Sequence, residues 1–265
     1  MSAVKEQKGF TLIELLVVVA IIALLVSIMV PAVQNAMNIA KDGVVKTQFH
    51  AIAVGAEMFK QDRQADNGYY PASVMYKGET NEVPGYIALT IQLLGRDRRG
   101  YDPKDTYASG NLRRDPYIKL ETVETVDANT DPAADPNERL PIMLCKWGEP
   151  ILYFRATPGS TAQSLIEDIY DPTDTLGEDP GIKGETAVWP SKFSHANDPL
   201  VNDSNGPDED DDTITYGSYA KFYSMIRNKS LGTPALPYNL DSFTLWSAGK
   251  DKQYGTSDDI KNFGD

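Results

Sequence analysis

The first regularity along the chain is an apolar run. From residue 10 to residue 33 the only charged side chain is Glu14. A helix of about 24 residues, rising about 1.5 Å per residue, crosses a bilayer core. Lys5 and Lys8 precede the run. The positive-inside rule therefore places the N-terminus in the cytoplasm and the rest of the chain across the membrane. Beyond residue 33 the pattern changes rather than stops. Val45, Phe49, Ile52, Ala56 and Phe59 recur at steps of four and three, which predicts one apolar stripe on a helix continuing to about Gln61. Lys41, Lys46, Gln48, Lys60 and Gln61 fall mostly off that stripe. The expectation is a helical stalk, apolar over 10–33 and amphipathic over 34–62, whose outer half is buried by a head of residues 63–265. Pro31 lacks an N–H and clashes with the preceding turn, so it kinks the helix or ends the span. Gly43 and Gly55 weaken the helical signal.

Downstream, Asp66-Asn67-Gly68 is a turn signal. Residues 86–94 read as a short helix with Ile87, Ile91 and Leu94 inward, ended by Gly95. Residues 96–137, rich in Asp, Arg, Pro and Gly, read as surface loop. Residues 140–145 and 151–156 read as strands, with Trp147-Gly148-Glu149-Pro150 as the turn of a hairpin. Residues 157–212 have little periodicity and read as an insertion decorating the surface. Residues 216–226 fit helix or strand, and 243–246 read as the final strand. One long helix with a few short strands makes the fold class α+β.

Composition narrows the function. The 265 residues carry a net charge of −13, and no basic run exists to build a nucleic-acid face. The acidity suits an exposed domain and supplies oxygen ligands for a hard cation. Cys145 is the only cysteine, so no intrachain disulfide forms. His50 lies on the helix, His195 in the insertion, and Cys145 reads as a small core residue. There is no Walker loop, HExxH or Gly-x-Ser-x-Gly, and the chain is expected not to be an enzyme. The acidic run at 208–212 is a solvated loop or a second cation site.

Residues 247–260 hold three carboxylates and the hydroxyls of Ser247, Thr256 and Ser257 among glycines, directly after a predicted strand. Calcium takes six to eight oxygens and mixes carboxylates with carbonyls in a flexible loop. Asp251, Asp258 and Asp259, with Thr256 or a nearby carbonyl, are the candidate ligands. An acidic turn capping the strand is the alternative. The spacing is not that of an EF-hand.

Glu14 separates three readings of the N-terminus. A secretory signal peptide is one, with Val30-Pro31-Ala32 near a cleavage point. A plain membrane anchor is the second. Neither accounts for a carboxylate in the apolar run, which costs about 2.5–3.5 kcal/mol at mid-bilayer, less near an interface, and usually marks function. The third rests on the run Lys8-Gly9-Phe10-Thr11-Leu12-Ile13-Glu14-Leu15-Leu16-Val17-Val18. It resembles the class III leader and membrane start of type IV prepilins and pseudopilins, and Pro31 falls where that family commonly kinks. Gly68-Tyr69-Tyr70-Pro71 and Trp147-Gly148-Glu149-Pro150 are similar to elements of the major pseudopilin head. Residues 247–260 resemble its calcium loop, with Lys252 standing where the pattern has glycine.

The resemblance implies a long N-terminal helix packed on a small antiparallel sheet. It implies a cytoplasmic leader of residues 1–9, cut between Gly9 and Phe10 by a prepilin peptidase, and N-methylation of Phe10. Glu14 then pairs with the Phe10 amine of a neighbouring subunit. The implied protein is a structural subunit of a type II secretion pseudopilus or a type IV pilus-like fibre. It is anchored by one span in the inner membrane with its head in the periplasm until assembly. Its partners are copies of itself, other pilins or pseudopilins and an inner-membrane assembly platform. A minor or adhesive pilin, and a secreted enzyme or binding protein, are the alternatives.

Overall fold

In the computed structural model, helix α1 runs from Leu12 to Gln61 and passes through Pro31. The structure describes residues 11–62, 68–73, 75–77, 81–83, 85–100, 115–127, 140–161, 169–170, 222, 225–228, 230 and 236–264. The predicted leader, the cleavage junction Gly9–Phe10, His195, the acidic run at 208–212 and most of the 157–212 insertion lie outside these residues. Two units form, Met1–Lys41 and Asp42–Asp265. In the first, the apolar side chains from Leu12 to Val33 are exposed. Among the described residues, α1 is the one helix long and apolar enough to cross a membrane.

The second unit is built on short elements. They are β1 (Met75–Lys77), β2 (Asn81–Val83), α2 (Gly85–Leu94), a 3-10 turn (Leu120–Thr122), β3 (Glu124–Asp127), β4 (Pro141–Leu144), β5 (Leu152–Arg155), β6 (Arg227–Asn228), β7 (Leu236–Pro237), β8 (Phe243–Ser247) and β9 (Ile260–Lys261). They form three antiparallel pairs, β1–β2, β3–β4 and β6–β7, and one antiparallel three-stranded sheet in the order β5-β8-β9. A long N-terminal helix with small antiparallel sheets is the α+β, pilin-like arrangement that the sequence implied.

Period-two alternation lets these strands serve two apolar layers. Met143, Tyr153, Phe243 and Leu245 join the layer that buries Val45, Phe49, Ile52, Ala56 and Phe59 of α1. Ile142, Leu144, Leu152, Phe154 and Trp246 join the second layer, with Tyr86, Ile87, Ile91, Phe222 and Phe263. Helix α2 lies between the layers, so all ten of its residues are buried, not just one face. Full burial of a side chain such as Ile52 or Phe59 contributes about 1.5–3 kcal/mol.

Four expectations need correction. The 96–137 stretch is not all loop, because β3 pairs with β4 from Glu124↔Leu144 to Asp127↔Pro141. The strands flanking Trp147–Pro150 pair antiparallel only at the turn itself, where Leu144 bridges Pro150, and do not extend into a two-stranded hairpin. The turn closes through Cys145 N to Glu149 O and Ile151 N to Met143 O, but β4 then joins β3 while β5 joins β8. Strand β8 is not the last, because β9 returns antiparallel beside it. Gln48 lies on the buried stripe, where its amide donates to Leu144 O at 3.3 Å. A polar residue is tolerated there because a backbone acceptor is within reach.

Candidate functional site

The N-terminal site begins with Thr11 and Glu14. Thr11 N and Thr11 Oγ1 each lie 2.8 Å from Glu14 Oε2, and Glu14 N donates to Thr11 Oγ1 at 3.3 Å. This is a reciprocal capping box. The first turn of a helix has N–H groups without intrahelical acceptors, and a carboxylate there meets the positive end of the helix dipole. Glu14 is thus held by its own chain at the head of an apolar helix. The signal Thr11-x-x-Glu14 is legible in the sequence, but the sequence reading treated Glu14 as an isolated charge and missed it.

On the outer half of α1, close approach sets the residue types. A Cβ built on Gly55 would collide with the Ile118 side chain and lie 3.2 Å from Tyr117 O. Gly55 is therefore a packing position, not a helix weakness. Gly43 has nothing within 4 Å of the corresponding point. Trp147 Nε1 donates to Asp42 Oδ1 at 3.1 Å, tying the β4–β5 turn to the helix. His50 is exposed and Cys145 buried.

The C-terminal loop is closed between β8 and β9. Asp259 Oδ2 accepts from Trp246 Nε1 at 2.6 Å, Gly255 N at 2.6 Å and Thr256 N at 3.2 Å. Burial pushes the Asp259 carboxyl up from its ordinary value, and these donors offset only part of that. Asp258 is more exposed. Burial is the largest single effect and raises it, but hydrogen bonds from the Thr256 hydroxyl and the Asp251, Asp258 and Lys250 backbone together outweigh it and hold it low.

Thr256 Oγ1 lies 2.7 Å from Asp258 Oδ1, 3.3 Å from Asp259 Oδ1 and 3.2 Å from Gln253 O. Its single proton serves only one of these three oxygens. Asp251 is brought in through its backbone, whose N–H donates to Asp258 Oδ2 at 3.1 Å, while its carboxylate accepts from Gln253 N at 2.9 Å. The loop thus gathers Thr256, Asp258 and Asp259 about one point and turns the Asp251 carboxylate to a local backbone donor. Among the described residues, no three carboxylates, imidazoles or thiols converge as a metal cluster.

Lys252 adopts a φ of 63°, the left-handed conformation that favours glycine. Its ammonium lies 3.7 Å from Glu149 Oε1, and the Tyr254 hydroxyl donates to Pro150 O. Two contacts therefore clamp the loop to the Trp147–Pro150 turn. They join residues about a hundred positions apart, so no local signal announces them.

The family model described as the prokaryotic N-terminal methylation motif matches residues 4–30. The chain is 41% identical over 69 residues to the type II secretion system core protein G of Pseudomonas aeruginosa, a match covering 26% of this chain and 46% of that protein. It is 39% identical over 69 residues to the type IV wide pilus major component PilA4 of Thermus thermophilus, covering 26% of this chain and 50% of that protein. The chain spans about half the length of the curated relatives it matches. No solved structure matches it. The motif and the two relatives make the N-terminal part of this chain similar to prepilins, and its apolar first helix fits a membrane-anchored protein.

Proposed function

We propose that the chain is a structural subunit that is processed at its N-terminus and polymerised into a type II secretion pseudopilus or type IV pilus-like fibre. The observation that carries this is the methylation motif at residues 4–30, which overlaps the apolar first half of α1, where the one charge before Val33, Glu14, is hydrogen-bonded by Thr11. A prepilin peptidase cuts between Gly9 and Phe10 and methylates Phe10. The new amine is cationic and stands four residues before Glu14 in the sequence. In the membrane the capping box keeps the carboxylate solvated by its own helix. In the fibre, Glu14 meets the Phe10 amine of a neighbour, and the apolar surface around it moves from lipid to protein.

Before assembly the subunit sits in the inner membrane by one span, with its second unit in the periplasm. Its partners are copies of itself, other pilins or pseudopilins, the peptidase and an inner-membrane assembly platform. Its role is structural rather than catalytic. The mass of the mature N-terminus tests this directly. A chain starting at N-methylated Phe10 is expected. A start beyond Ala32 would instead identify an ordinary secreted protein.

A second element of the proposal is one calcium ion at the C-terminal loop. Asp258 Oδ1, Asp259 Oδ1 and Gln253 O each lie within 3.3 Å of Thr256 Oγ1, an oxygen set suited to a hard cation. Two carboxylates facing one hydroxyl, which donates to only one of them, repel each other, and a divalent ion between them would remove that repulsion. Asp251 would join by turning its carboxylate away from Gln253 N.

A further inference from the structure

Strand β9 is the outer strand of its three-stranded sheet. The register fixes which of its backbone groups point outward. Asn262 N donates to Leu245 O, and Ser247 stands opposite Ile260. The pair between them, Trp246↔Lys261, is therefore the one that exchanges no bonds, and the Lys261 N–H and C=O point away from β8. Among the described residues no backbone group takes either of them. An outward donor and acceptor of this kind are a template for another strand.

The edge borders a groove of about 600 Å³, within the range of about 300–1,000 Å³ that ligand sites occupy. Its other wall is α1, which contributes Lys46, His50, Ala53 and Glu57 at steps of four, three and four, one face of the helix. From Lys46 to Glu57 that wall is about 16 Å long, the length of about five residues of extended chain. Phe49 and Phe243, from the layer beneath α1, supply its apolar lining.

Charge says what the groove takes. The chain has a net charge of −13, yet the groove presents Lys46, Lys261 and His50 against one carboxylate, Glu57. Glu57 already accepts from the Tyr70 hydroxyl at 2.6 Å. Among the described residues neither lysine has a carboxylate within ion-pair distance. The Lys261 ammonium instead lies 5.4 Å and 5.7 Å from the ring centres of Trp246 and Phe263. A local reversal of sign on an acidic protein draws in anionic groups.

We propose that the groove between β9 and α1 binds an extended acidic segment of another protein by strand addition. One residue of the segment exchanges both backbone bonds with Lys261. Its side chain falls on the same sheet face as that of Lys261, where a carboxylate makes an opposite-charge cross-strand pair. Its two neighbours turn to the other face, toward Phe49 and Phe243, and are apolar. The segment is thus an alternation of acidic and apolar residues. No polymerisation is involved, so the inference stands apart from the fibre reading.

The test uses the full-length chain in detergent and a fluorescent peptide, Glu-Val-Glu-Val-Glu, capped at both ends and followed by anisotropy. Binding should saturate and weaken at least tenfold in Lys46→Glu, with the thermal melt unchanged. Lys119→Glu, a change at an exposed lysine outside the groove, should bind normally. Methylating the central amide nitrogen of the peptide should weaken binding at least tenfold, and the native peptide should slow hydrogen exchange at the Lys261 amide by a similar factor. Equal binding of the methylated peptide, or unchanged exchange at Lys261, would overturn strand addition. Equal binding of Lys-Val-Lys-Val-Lys, or no binding of the acidic peptide at millimolar concentration, would overturn the acidic segment. Binding that appears only when the acidic run at 208–212 is neutralised would make that run the occupant and overturn another protein. Self-association in detergent that Lys46→Glu abolishes would overturn it in favour of a second copy. None of these outcomes bears on the mass of the mature N-terminus, which tests the fibre reading separately.

Discussion

The ammonium of Lys252, on a residue in the left-handed backbone conformation, lies 3.7 Å from the carboxylate of Glu149, which sits in the turn between two strands that separate into different sheets. The Lys252 side chain is about half exposed, so the pair is worth at most about 1 kcal/mol. The left-handed conformation costs a non-glycine residue about 1–2 kcal/mol. The two effects are separable. Lys252→Ala loses the pair and keeps the strain. Lys252→Gly loses the pair and relieves the strain. Chemical denaturation of the full chain in detergent should find Lys252→Gly more stable than Lys252→Ala by about 1 kcal/mol. Equal stabilities would mean that the loop relaxes out of this conformation.

Gly43 and Gly55 predict opposite outcomes for the same substitution. Gly43→Ala meets nothing within 4 Å and gains helix propensity, so it should stabilise by about 0.5–1 kcal/mol. Gly55→Ala gains the same propensity but drives a methyl group into Ile118 and toward the Tyr117 carbonyl. Overpacking of this kind costs about 1–3 kcal/mol, so the net effect is destabilising. Paired thermal melts check the sign of each.

Glu14→Ala removes the only charge in the apolar run and one half of the capping box. The subunit should insert into the membrane at least as well, since no carboxylate is buried. Fibre yield should collapse, because the neighbour's amine loses its partner. Thr11→Ala removes the cap but keeps the carboxylate, so assembly should fall less. Shearing fibres from cells and comparing them with the membrane-bound pool gives both quantities. Normal fibres from Glu14→Ala would exclude the pairing.

The C-terminal loop predicts two opposing pH dependences. Asp259 has a raised folded value. It contributes stability that is present below its unfolded value and lost as pH rises through the folded one. Asp258 has a lowered folded value. Its contribution is present above the unfolded value and lost as pH falls through the folded one. With chelator present, Asp258→Asn should lose less stability than the native chain on acidification across the carboxylate range, from about pH 5 to about pH 3. Asp259→Asn should lose more. Melting temperatures across that range, read as differences between the variants, carry the test.

The proposed calcium ion would act on the same loop by mass action. At about a hundredfold excess over its dissociation constant, an ion bound only by the folded state adds about 2.7 kcal/mol. The melting temperature should rise with calcium and fall back with chelator, and Asp258→Asn should flatten the response. An unchanged melting temperature at millimolar calcium would leave the loop held by Trp246, Lys252 and Tyr254 alone.

The long helix was legible in the sequence because its evidence is local. An apolar run and a stripe at steps of four and three depend only on neighbours a few positions away, and both appear in α1 as read. The motif around Gly9, Phe10 and Glu14 is equally local. Tertiary structure decided what depends on distant partners. The turn Trp147–Pro150 looked like a hairpin, but β3 and β8 captured its two strands, because strand pairing is settled by which edges meet. Gln48 looked solvent-facing until Leu144 O stood over it, and Gly55 looked like a weak point until Ile118 lay against it. Lys252 looked like a misplaced glycine until Glu149 came within reach. A chain alone specifies the periodicity of its elements, and only packing specifies which of their faces, edges and charges find a counterpart.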